Sequence, residues 1–203
     1  KYTKLDLSLA YHQLELTPKS RKYTTINTHY GLYQYKRLVY GINKAVSIFH
    51  RTIESVLKGL PGCCVRIDNI LVTGETDEIH LENLHRVLQR LQECGLKLKR
   101  EKFHFMLGQV VYLGMTISGV GISPTQEKVQ AIQNAAPPVN VSEYQSFIGT
   151  ANFLRKFVLG FAEILFPLYK LLRNGTPRKW GKAEQNAFAD IKSALCLDSV
   201  LQH

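Results

Sequence analysis

The sequence has few of the residues that mark several common classes of small protein. It contains four cysteines among 203 residues, and they show neither the paired CxxC spacing of a zinc site nor the density of a disulfide scaffold. Such cysteine usage is typical of a reduced, intracellular protein. No apolar run approaches the ~20 residues that a membrane span needs, so we expect no membrane partner.

Acidic residues are also scarce relative to basic ones. The chain carries 16 Asp and Glu against 26 Lys and Arg, a formal net charge of +10. This excess favours a polyanionic partner, nucleic acid or an anionic membrane surface, over a neutral metabolite. The sequence begins in a strand-like segment without a start Met, which predicts a fragment of a longer polypeptide.

Two of the carboxylates stand out within this basic chain. Apolar residues flank a polar step in the segment from Val65 to Val72, and Asp68–Asn69 is predicted at the tip of a hairpin because both residue types favour turns. Taken alone, Asp68 is equally well explained as an ordinary turn residue. Asp6, far upstream in a strand-like segment, favours the alternative that the two acids form one site.

Strands and helices alternate in the first part of the chain without the regular repeat of a doubly wound sheet. The spacing of apolar residues predicts a strand around Asp6, a hairpin at 23–40, a helix at 45–59, the hairpin at 65–72, a helix at 76–94 and strands at 96–100 and 110–117. The apolar stripe of the second helix is expected to comprise Ile79, Leu81, Leu84, Val87, Leu88 and Leu91. Residues 1–117 are therefore interpreted as an α+β domain.

After Gly121 the pattern changes to helices with short links marked by proline. Ser123–Gln126 is interpreted as a capping box with Pro124 at the first helical position, and Ser142–Gln145 as the cap of a second helix. The second helix is expected to bury Phe147, Ile148, Ala151, Leu154 and Val158, and further helices are expected at 163–172 and 183–195.

Motifs along the chain resemble, in order and spacing, those of Ty3/gypsy-type reverse transcriptases, which belong to retrovirus-related Pol polyproteins. Asp6–Gln13 resembles their LDLxxAYHQ segment, and Val65–Val72 falls where the family has the VYLDDILV polymerase hairpin. Other matching segments are Arg21–Thr24, Leu38–Phe49 (LPFGxxxAPxxF in the family), Tyr112–Ile122 (FLGxxISxxGI), the thumb-like Phe147–Phe153 and Pro167–Leu171, and the tether-like Trp180–Leu201. The resemblance covers essentially the whole chain.

The resemblance implies an α+β polymerase palm, an antiparallel sheet backed by helices, with a helical thumb and truncated N-terminal fingers. Residues 1–117 correspond to the palm with part of the fingers, 118–175 to the thumb, and 176–203 to a tether leading toward an RNase H domain. The implied activity is RNA-directed DNA polymerisation, a nucleotidyl transfer to a primer 3′-hydroxyl. The implied partners are an RNA or DNA template with its primer, dNTPs, and the rest of a Pol polyprotein, with fingers upstream and RNase H downstream.

The resemblance also assigns roles to individual residues. Asp6, Asp68 and the altered position Asn69 would form the catalytic site, in which Asp6 and Asp68 hold two Mg²⁺ ions, because two-metal nucleotidyl transfer needs carboxylate ligands. The other implied sites are the nucleotide-binding Tyr11, Tyr40 and Gly41, the primer grip Tyr112, Leu113 and Gly114, and the nucleic-acid-binding Arg155, Lys156, Lys170 and Arg173. For each basic residue, a solvated helix face is an alternative explanation.

Several positions depart from the family pattern. Asn69 stands where the family has a second Asp, and Arg66 where it has Tyr, so both changes weaken the expected attraction for metal ions. Val39 and Val46 replace two prolines near the nucleotide, which loosens that loop. These departures predict an impaired polymerase, and they leave open a catalytically inactive or co-opted remnant that binds nucleic acid or a protein partner.

Overall fold

The computed structural model of the protein describes residues 1–172 and 180–195. The chain divides into two units, Lys1–Val110 and Val111–His203, and each has a hydrophobic core of its own. The domain boundaries expected at 117 and 175 stay predictions. Part of the expected tether, together with the expected nucleic-acid-binding residue Arg173, lies outside the described residues. The helices described include none that is long and apolar enough to cross a membrane.

The first unit combines an antiparallel sheet with helices. Its strands are β1 (Tyr2–Asp6), β2 (Thr25–Thr28), β3 (Gly31–Gln34), β4 (Cys63–Arg66), β5 (Asn69–Thr73) and β6 (His104–Leu107). Its helices are α1 (Pro18–Arg21), α2 (Ala45–Leu57) and α3 (Asp77–Glu93), and short 3₁₀ turns occur at Ala10–Gln13, Lys22–Thr24 and Arg100–Lys102. The hairpin expected at 23–40 and the helices expected at 45–59 and 76–94 are confirmed.

The central sheet has the strand order β4-β5-β1-β6. Because side chains alternate between the two faces of a strand, the sheet has one apolar and one polar face. The apolar face includes Thr3, Leu5, Ile70 and Val72, all at most 1% exposed. It forms one core with Phe49 and Ile53 of α2 and Leu84, Val87 and Leu91 of α3. The sheet backed by helices that the sequence predicts is therefore confirmed.

Helix α3 begins and ends where the sequence places it. The Thr76 side chain accepts a hydrogen bond from the backbone N–H of Ile79 at 3.3 Å, and Gly95 follows the helix with φ 68°, a conformation in which glycine is favoured. The predicted apolar stripe is only partly correct. The side chains of Ile79, Leu81 and Leu88 are 43%, 46% and 36% exposed.

Two polar residues, His80 and Asn83, occupy the buried face of α3 in place of those aliphatic side chains. Asn83 donates a hydrogen bond from Nδ2 to the carbonyl oxygen of Thr73 at 2.9 Å. His80 Nε2 lies 2.7 Å from the hydroxyl of buried Thr3. Because buried polar groups that find partners avoid most of their desolvation cost, both residues join α3 to the sheet.

Two strand predictions after α3 are wrong. The segment 96–100 contains a single bridge, from Leu98 to Leu7, rather than a strand. The strand expected at 110–117 is divided by a turn at Leu113–Gly114 into two strands. Strand β6 was not predicted. Its pairing with β1 is irregular, with a register shift between Tyr2 and Lys4, and Met106 has φ 53°.

The second unit is mainly helical. It contains most of a three-stranded sheet, in the order β7 (Gln109–Tyr112), β8 (Met115–Ser118) and β9 (Gly121–Pro124). Its helices are α4 (Gln126–Gln133), α5 (Val141–Phe153), α6 (Phe161–Leu171) and α7 (Lys182–Ala194), with a 3₁₀ turn at Arg155–Phe157. The five residues expected to point inward from the α5 region are buried.

The caps of α4 and α5 differ from the prediction. Ser123 and Pro124 belong to β9 and pair with Thr116 and Met115, so they neither cap nor begin a helix. The cap of α5 is Asn140, whose Oδ1 accepts a hydrogen bond from the backbone N–H of Glu143 at 3.0 Å. Helix α5 therefore begins before the predicted Ser142.

Candidate functional site

The hairpin between β4 and β5 turns one residue earlier than the sequence predicts. Arg66 and Asn69 are paired across the two strands, so the two turn residues are Ile67 and Asp68. Ile67 has φ 58°, a conformation that is rare and strained for a β-branched side chain. Nδ1 of His50 on α2 accepts a hydrogen bond from the Ile67 backbone N–H at 3.2 Å, which ties the strained turn to the helix.

Strand register brings the expected catalytic residues onto the polar face of the sheet. Asp6, the last residue of β1, lies directly opposite Asn69, and Asn69 lies directly opposite Arg66. Directly paired residues project to the same face of a sheet, so the three side chains form one row. Arg66 stands two strand spacings, about 10 Å, from Asp6 at the backbone.

Asp68 is held beside this row by one hydrogen bond to its side chain and one to its backbone carbonyl group. Its carboxylate Oδ1 accepts a hydrogen bond from Asn69 Nδ2 at 3.0 Å. Its carbonyl oxygen accepts one from the backbone N–H of Leu7 at 3.3 Å. The structure thus gathers Asp6, Asp68 and Asn69 at one end of the β1–β5 pair.

The donors gathered there are of the kind that Mg²⁺ prefers, namely carboxylate and amide oxygens. Asp6 and Asp68 supply two negative charges, and Asn69 supplies a neutral oxygen. Within the described residues, no three His, Cys, Asp or Glu side chains cluster as metal ligands. The residues present therefore fit a divalent ion in ligand type but provide only two charged ligands for it.

Two of the expected nucleotide-binding residues lie together next to this site. The ring centroids of Tyr11 and Tyr40 are 4.8 Å apart, and Tyr11 also packs against buried Phe49 with its ring centroid at 5.1 Å. Burial raises the pKa of the Tyr11 phenol, and the nearby Asp68 carboxylate raises it further. The Asp68 carboxylate therefore favours the neutral form of the Tyr11 phenol.

Tyr40 forms the exposed side of this aromatic pair. Its side chain is 61% exposed, and Gly41 follows with φ 85°, a conformation that glycine adopts without strain. The pair therefore offers an aromatic surface open to solvent, on a loop whose turn depends on glycine.

The expected primer-grip residues lie in the second unit, at the turn between β7 and β8. Tyr112 is buried, whereas Leu113 is 51% exposed and has φ 51°. Gly114 has φ 74°, and a Cβ atom there would lie 2.8 Å from Lys128 Cε and 3.1 Å from Phe153 Cζ. The conformation of the turn therefore favours glycine, and a side chain there would also have to displace the side chains of Lys128 and Phe153.

Three of the four expected nucleic-acid-binding residues are described, and all three are exposed in the second unit. Arg155 and Lys156 lie in the 3₁₀ turn after α5, and Lys170 lies near the end of α6. Lys170 Nζ is 4.5 Å from the centre of the Phe166 ring. These positions are compatible with solvated side chains and with contacts to a phosphate backbone.

Sequence reasoning missed two residues that hold the site in place. His50 supports the hairpin turn, and the side chain of Gln13 binds the backbone of Lys97 through both its oxygen and its nitrogen. Gln13 stands within a recognisable motif, but nothing in the motif shows its partner. For His50, the one available signal is its position directly after the buried Phe49 on α2.

Residues 1–117 match the family model described as reverse transcriptase (RNA-dependent DNA polymerase). The retrovirus-related Pol polyprotein from transposon opus of Drosophila melanogaster is 33% identical to this chain, over 98% of the chain and 21% of the relative. The corresponding polyprotein from transposon gypsy of the same organism is 32% identical over the same shares. The transposon Tf2-7 polyprotein of Schizosaccharomyces pombe is 30% identical over 100% of the chain and 15% of the relative.

Solved structures of the foamy viral protease-reverse transcriptase are similar in fold. One in complex with double-stranded DNA has a TM-score of 0.91 and 30% identity, covering 100% of this chain and 36% of that chain. Another in complex with an RNA/DNA hybrid has a TM-score of 0.87 and 30% identity, covering 100% and 28%. The chain spans about a fifth or less of the length of the curated relatives named above.

Proposed function

Since the chain belongs to the reverse transcriptase family of retrovirus-related Pol polyproteins, we propose that it carries an RNA-directed DNA polymerase site built on Asp6 and Asp68. The observation that carries the proposal is the register of β1 and β5, which sets Asp6 opposite Asn69 and next to Asp68. Asp6 ends β1 and Asp68 lies in the adjacent turn between β4 and β5. Two carboxylates in this arrangement form a suitable binding site for divalent ions.

The chemistry is nucleotidyl transfer, in which a primer 3′-hydroxyl attacks the α-phosphorus of a dNTP and pyrophosphate leaves. Mg²⁺ would supply positive charge to the attacking and leaving oxygens. Asp6 and Asp68 would hold it, because Mg²⁺ binds carboxylate oxygens in octahedral geometry. The two side chains are anchored by the sheet and the turn, which lowers the cost of ordering them for the reaction.

Tyr11 and Tyr40 are the proposed nucleotide contacts. The Tyr11 ring is fixed between Tyr40 and Phe49, so its position next to Asp68 is defined before any ligand binds. The exposed Tyr40 ring, with the glycine turn behind it, gives the base or sugar of a dNTP an aromatic surface for contact.

Two residues of the site reduce its proposed activity. Asn69 gives an amide oxygen where a third carboxylate would add a negative charge, and Arg66 adds a cation to the same row of side chains. Both changes weaken the electrostatic attraction for Mg²⁺, because like charges repel and a neutral ligand contributes no net charge. We therefore propose that the polymerase activity of this chain is impaired.

Divalent-ion binding and primer extension test the proposal together. Mn²⁺, a paramagnetic substitute for Mg²⁺, should broaden the NMR signals of residues around Asp6 and Asp68, and Asp6→Asn or Asp68→Asn should remove the broadening. The double variant Asn69→Asp with Arg66→Tyr should bind Mn²⁺ at least about tenfold more tightly, since it gains a negative charge and loses a positive one. It should also extend a DNA primer on an RNA template faster than the unaltered chain.

Asp190→Asn is the matched control, because Asp190 is an exposed carboxylate on α7. Mn²⁺ broadening that persists in Asp6→Asn, or that disappears in the control, would refute the proposed metal site. Primer extension by the unaltered chain at the rate of the double variant would refute the impairment alone.

A second candidate function is nucleic-acid binding without catalysis. The row Arg66–Asn69–Asp6 favours it, because a guanidinium in place of an aromatic side chain suits a phosphate better than a metal ion. In this case the double variant would bind an RNA–DNA duplex more weakly than the unaltered chain and would gain no primer extension.

The partners of the site are proposed from the relatives. Two foamy viral relatives were solved with double-stranded DNA and with an RNA/DNA hybrid, and we infer a primer–template duplex and dNTPs for this chain. Residues 118–175 would act as the thumb, with Tyr112, Leu113 and Gly114 at the primer. We also propose that the chain belongs to a Pol polyprotein, with a fingers segment upstream and an RNase H domain downstream. The proposed location is intracellular.

A further inference from the structure

The end of β1 continues as a ladder of backbone hydrogen bonds with the segment 97–99. The backbone N–H of Lys99 donates to the carbonyl of Asp6 at 2.9 Å, and the N–H of Ser8 donates to the carbonyl of Lys97 at 2.9 Å. In a regular antiparallel pair, the N–H of Lys97 would donate back to the carbonyl of Ser8. Here the N–H of Lys97 donates instead to a side chain, that of Gln13.

The side-chain amide of Gln13 stands in its place. Its Oε1 accepts the hydrogen bond from the Lys97 backbone N–H at 2.6 Å. Its Nε2 donates to the carbonyl of Lys97 at 2.9 Å and also to the carbonyl of Ser8. The amide therefore lies between two backbones and satisfies both, as a short piece of strand would.

This inserted amide accompanies a sharp reversal of the chain. Leu9 has φ 45°, and the 3₁₀ turn Ala10–Gln13 follows directly. The other side of the turn is held by Arg37, whose Nη1 donates to the carbonyl oxygens of His12 and Gln13 at 3.1 and 3.3 Å. Tyr11 lies within this turn, so its position depends on both anchors.

We propose that Gln13 is a positioning residue that fixes Tyr11 relative to the strand end carrying Asp6. The inference rests on the proposed function, in which Tyr11 contacts the nucleotide and Asp6 holds the metal. Gln13 thus sets the spacing between Tyr11 and Asp6 of the same motif. It does so through the backbone of Lys97, which lies 84 residues further along the chain.

The geometry explains why glutamine suits this position. The site needs a donor and an acceptor on one planar group, because it faces two carbonyl oxygens and one N–H. Glutamate at position 13 would place a carboxylate against both carbonyl oxygens, and asparagine is shorter by one methylene group. Methionine fills a similar volume and forms none of these strong hydrogen bonds, so Gln13→Met isolates the amide's contribution.

Amide hydrogen exchange and NOE measurements on the tyrosine rings of the whole chain test the inference without metal or nucleotide. In Gln13→Met, exchange at the Lys97 N–H should accelerate about tenfold, as expected from the loss of one hydrogen bond. Exchange at the Lys99 N–H, which is bonded to Asp6, should change by less than about twofold. NOEs from the Tyr11 ring to the rings of Tyr40 and Phe49, assigned with Tyr11→Phe in ¹³C-tyrosine-labelled protein, should weaken relative to the unaltered chain.

Gln92→Met, at an exposed glutamine on α3, should change none of these quantities. Equal acceleration at Lys97 and Lys99 would show general destabilisation and overturn the inference. Unchanged Tyr11 NOEs in Gln13→Met would overturn it as well, because Tyr11 would then keep its place without the amide. Since neither measurement involves divalent ions, these results are independent of whether Mn²⁺ binds at Asp6 and Asp68.

Discussion

At the turn between β4 and β5, an imidazole nitrogen supports a strained backbone. His50 Nδ1 accepts the hydrogen bond of the Ile67 N–H, and the hydrogen bond requires that this nitrogen carry no proton. The proton of the neutral ring therefore resides on Nε2. Because Asp68 follows Ile67 directly, the imidazole anchors the backbone next to the residue that carries the carboxylate.

His50→Phe is expected to lower the free energy of unfolding by about 1–2 kcal/mol, since it leaves the Ile67 N–H without this partner. The loss should appear in urea denaturation, together with faster hydrogen exchange at the Ile67 amide. His50→Gln keeps an acceptor oxygen on the same helix position and should recover most of the stability. Equal losses in the two variants would show that packing, and not the hydrogen bond, holds the turn.

His80 gives the first unit a dependence on pH. Burial lowers the pKa of its imidazole, the N-terminal ammonium lowers it further, and Asp77 opposes them. The unfolded chain therefore binds a proton near pH 6.5 that the folded chain does not, and stability is lost as the pH falls below 6.5. Above that pH, both states are neutral at this residue and its contribution is constant.

The expected result is a lower urea midpoint at pH 5.5 than at pH 7.5, with a smaller difference in His80→Gln. His85→Gln, at an exposed histidine on the same helix, should retain the full difference. If His80→Gln keeps the full difference too, the acid sensitivity belongs to other groups.

The candidate site was predictable where chemistry and motif coincide. Asp6, Asp68 and Asn69 were predicted as one site, and the register of β1 and β5 places them together. The turn was misplaced by one residue because Asp and Asn favour turns more than Ile does, while the hairpin tolerates Ile67 at positive φ. His50 and Gln13 were missed because each acts through a backbone group far away in sequence, which side-chain patterns do not encode.

At the level of elements, the two threonines that precede α3 and α4, Thr76 and Thr125, differ in their bonding. The Thr76 side chain accepts a hydrogen bond from the first turn of α3. Among the described residues of α4, none donates a capping hydrogen bond to the Thr125 side chain. Thr76→Ala should therefore lower the free energy of unfolding by about 1 kcal/mol. Thr125→Ala is the matched control and should cost clearly less in the same denaturation experiment.

A loss in Thr125→Ala as large as that in Thr76→Ala would mean that β-branched packing, and not capping, determines the effect. The comparison is informative because both residues have extended backbones at the start of a helix, with φ −112° at Thr76 and φ −71° at Thr125.

Periodicity predicted the helices better than the caps and strands. Apolar spacing over more than ten residues is a strong signal, and α2, α3 and α5 have it. The motif Ser123–Gln126 has the composition of a capping box, but pairing of Ser123 and Pro124 with β8 takes precedence. Segment 96–100 has the composition of a strand, yet its Lys97 hydrogen-bonds with the side chain of Gln13, and such long-range partners are invisible in a local window.

At the level of the whole molecule, the net charge of +10 provides a general attraction for polyanions. Most of that attraction is independent of sequence, because it arises from the release of counterions from the phosphate backbone. Three exposed basic residues of the second unit, Arg155, Lys156 and Lys170, are the proposed direct phosphate contacts. Single substitutions distinguish the two, because removing a direct phosphate contact changes the salt dependence of nucleic-acid binding more than removing a distant charge does.

Binding of a primer–template duplex should weaken steeply with salt, and single substitutions identify the contacts. Arg155→Gln, Lys156→Gln and Lys170→Gln should each make the slope of log K against log salt shallower by about 1, as measured by fluorescence anisotropy between 50 and about 200 mM salt. Lys182→Gln, at an exposed lysine on α7 of the same unit, should leave the slope within error. If none of the three substitutions changes the slope, these side chains belong to a solvated surface. Each lost phosphate contact would reduce the number of counterions released on binding, and the slope measures that number.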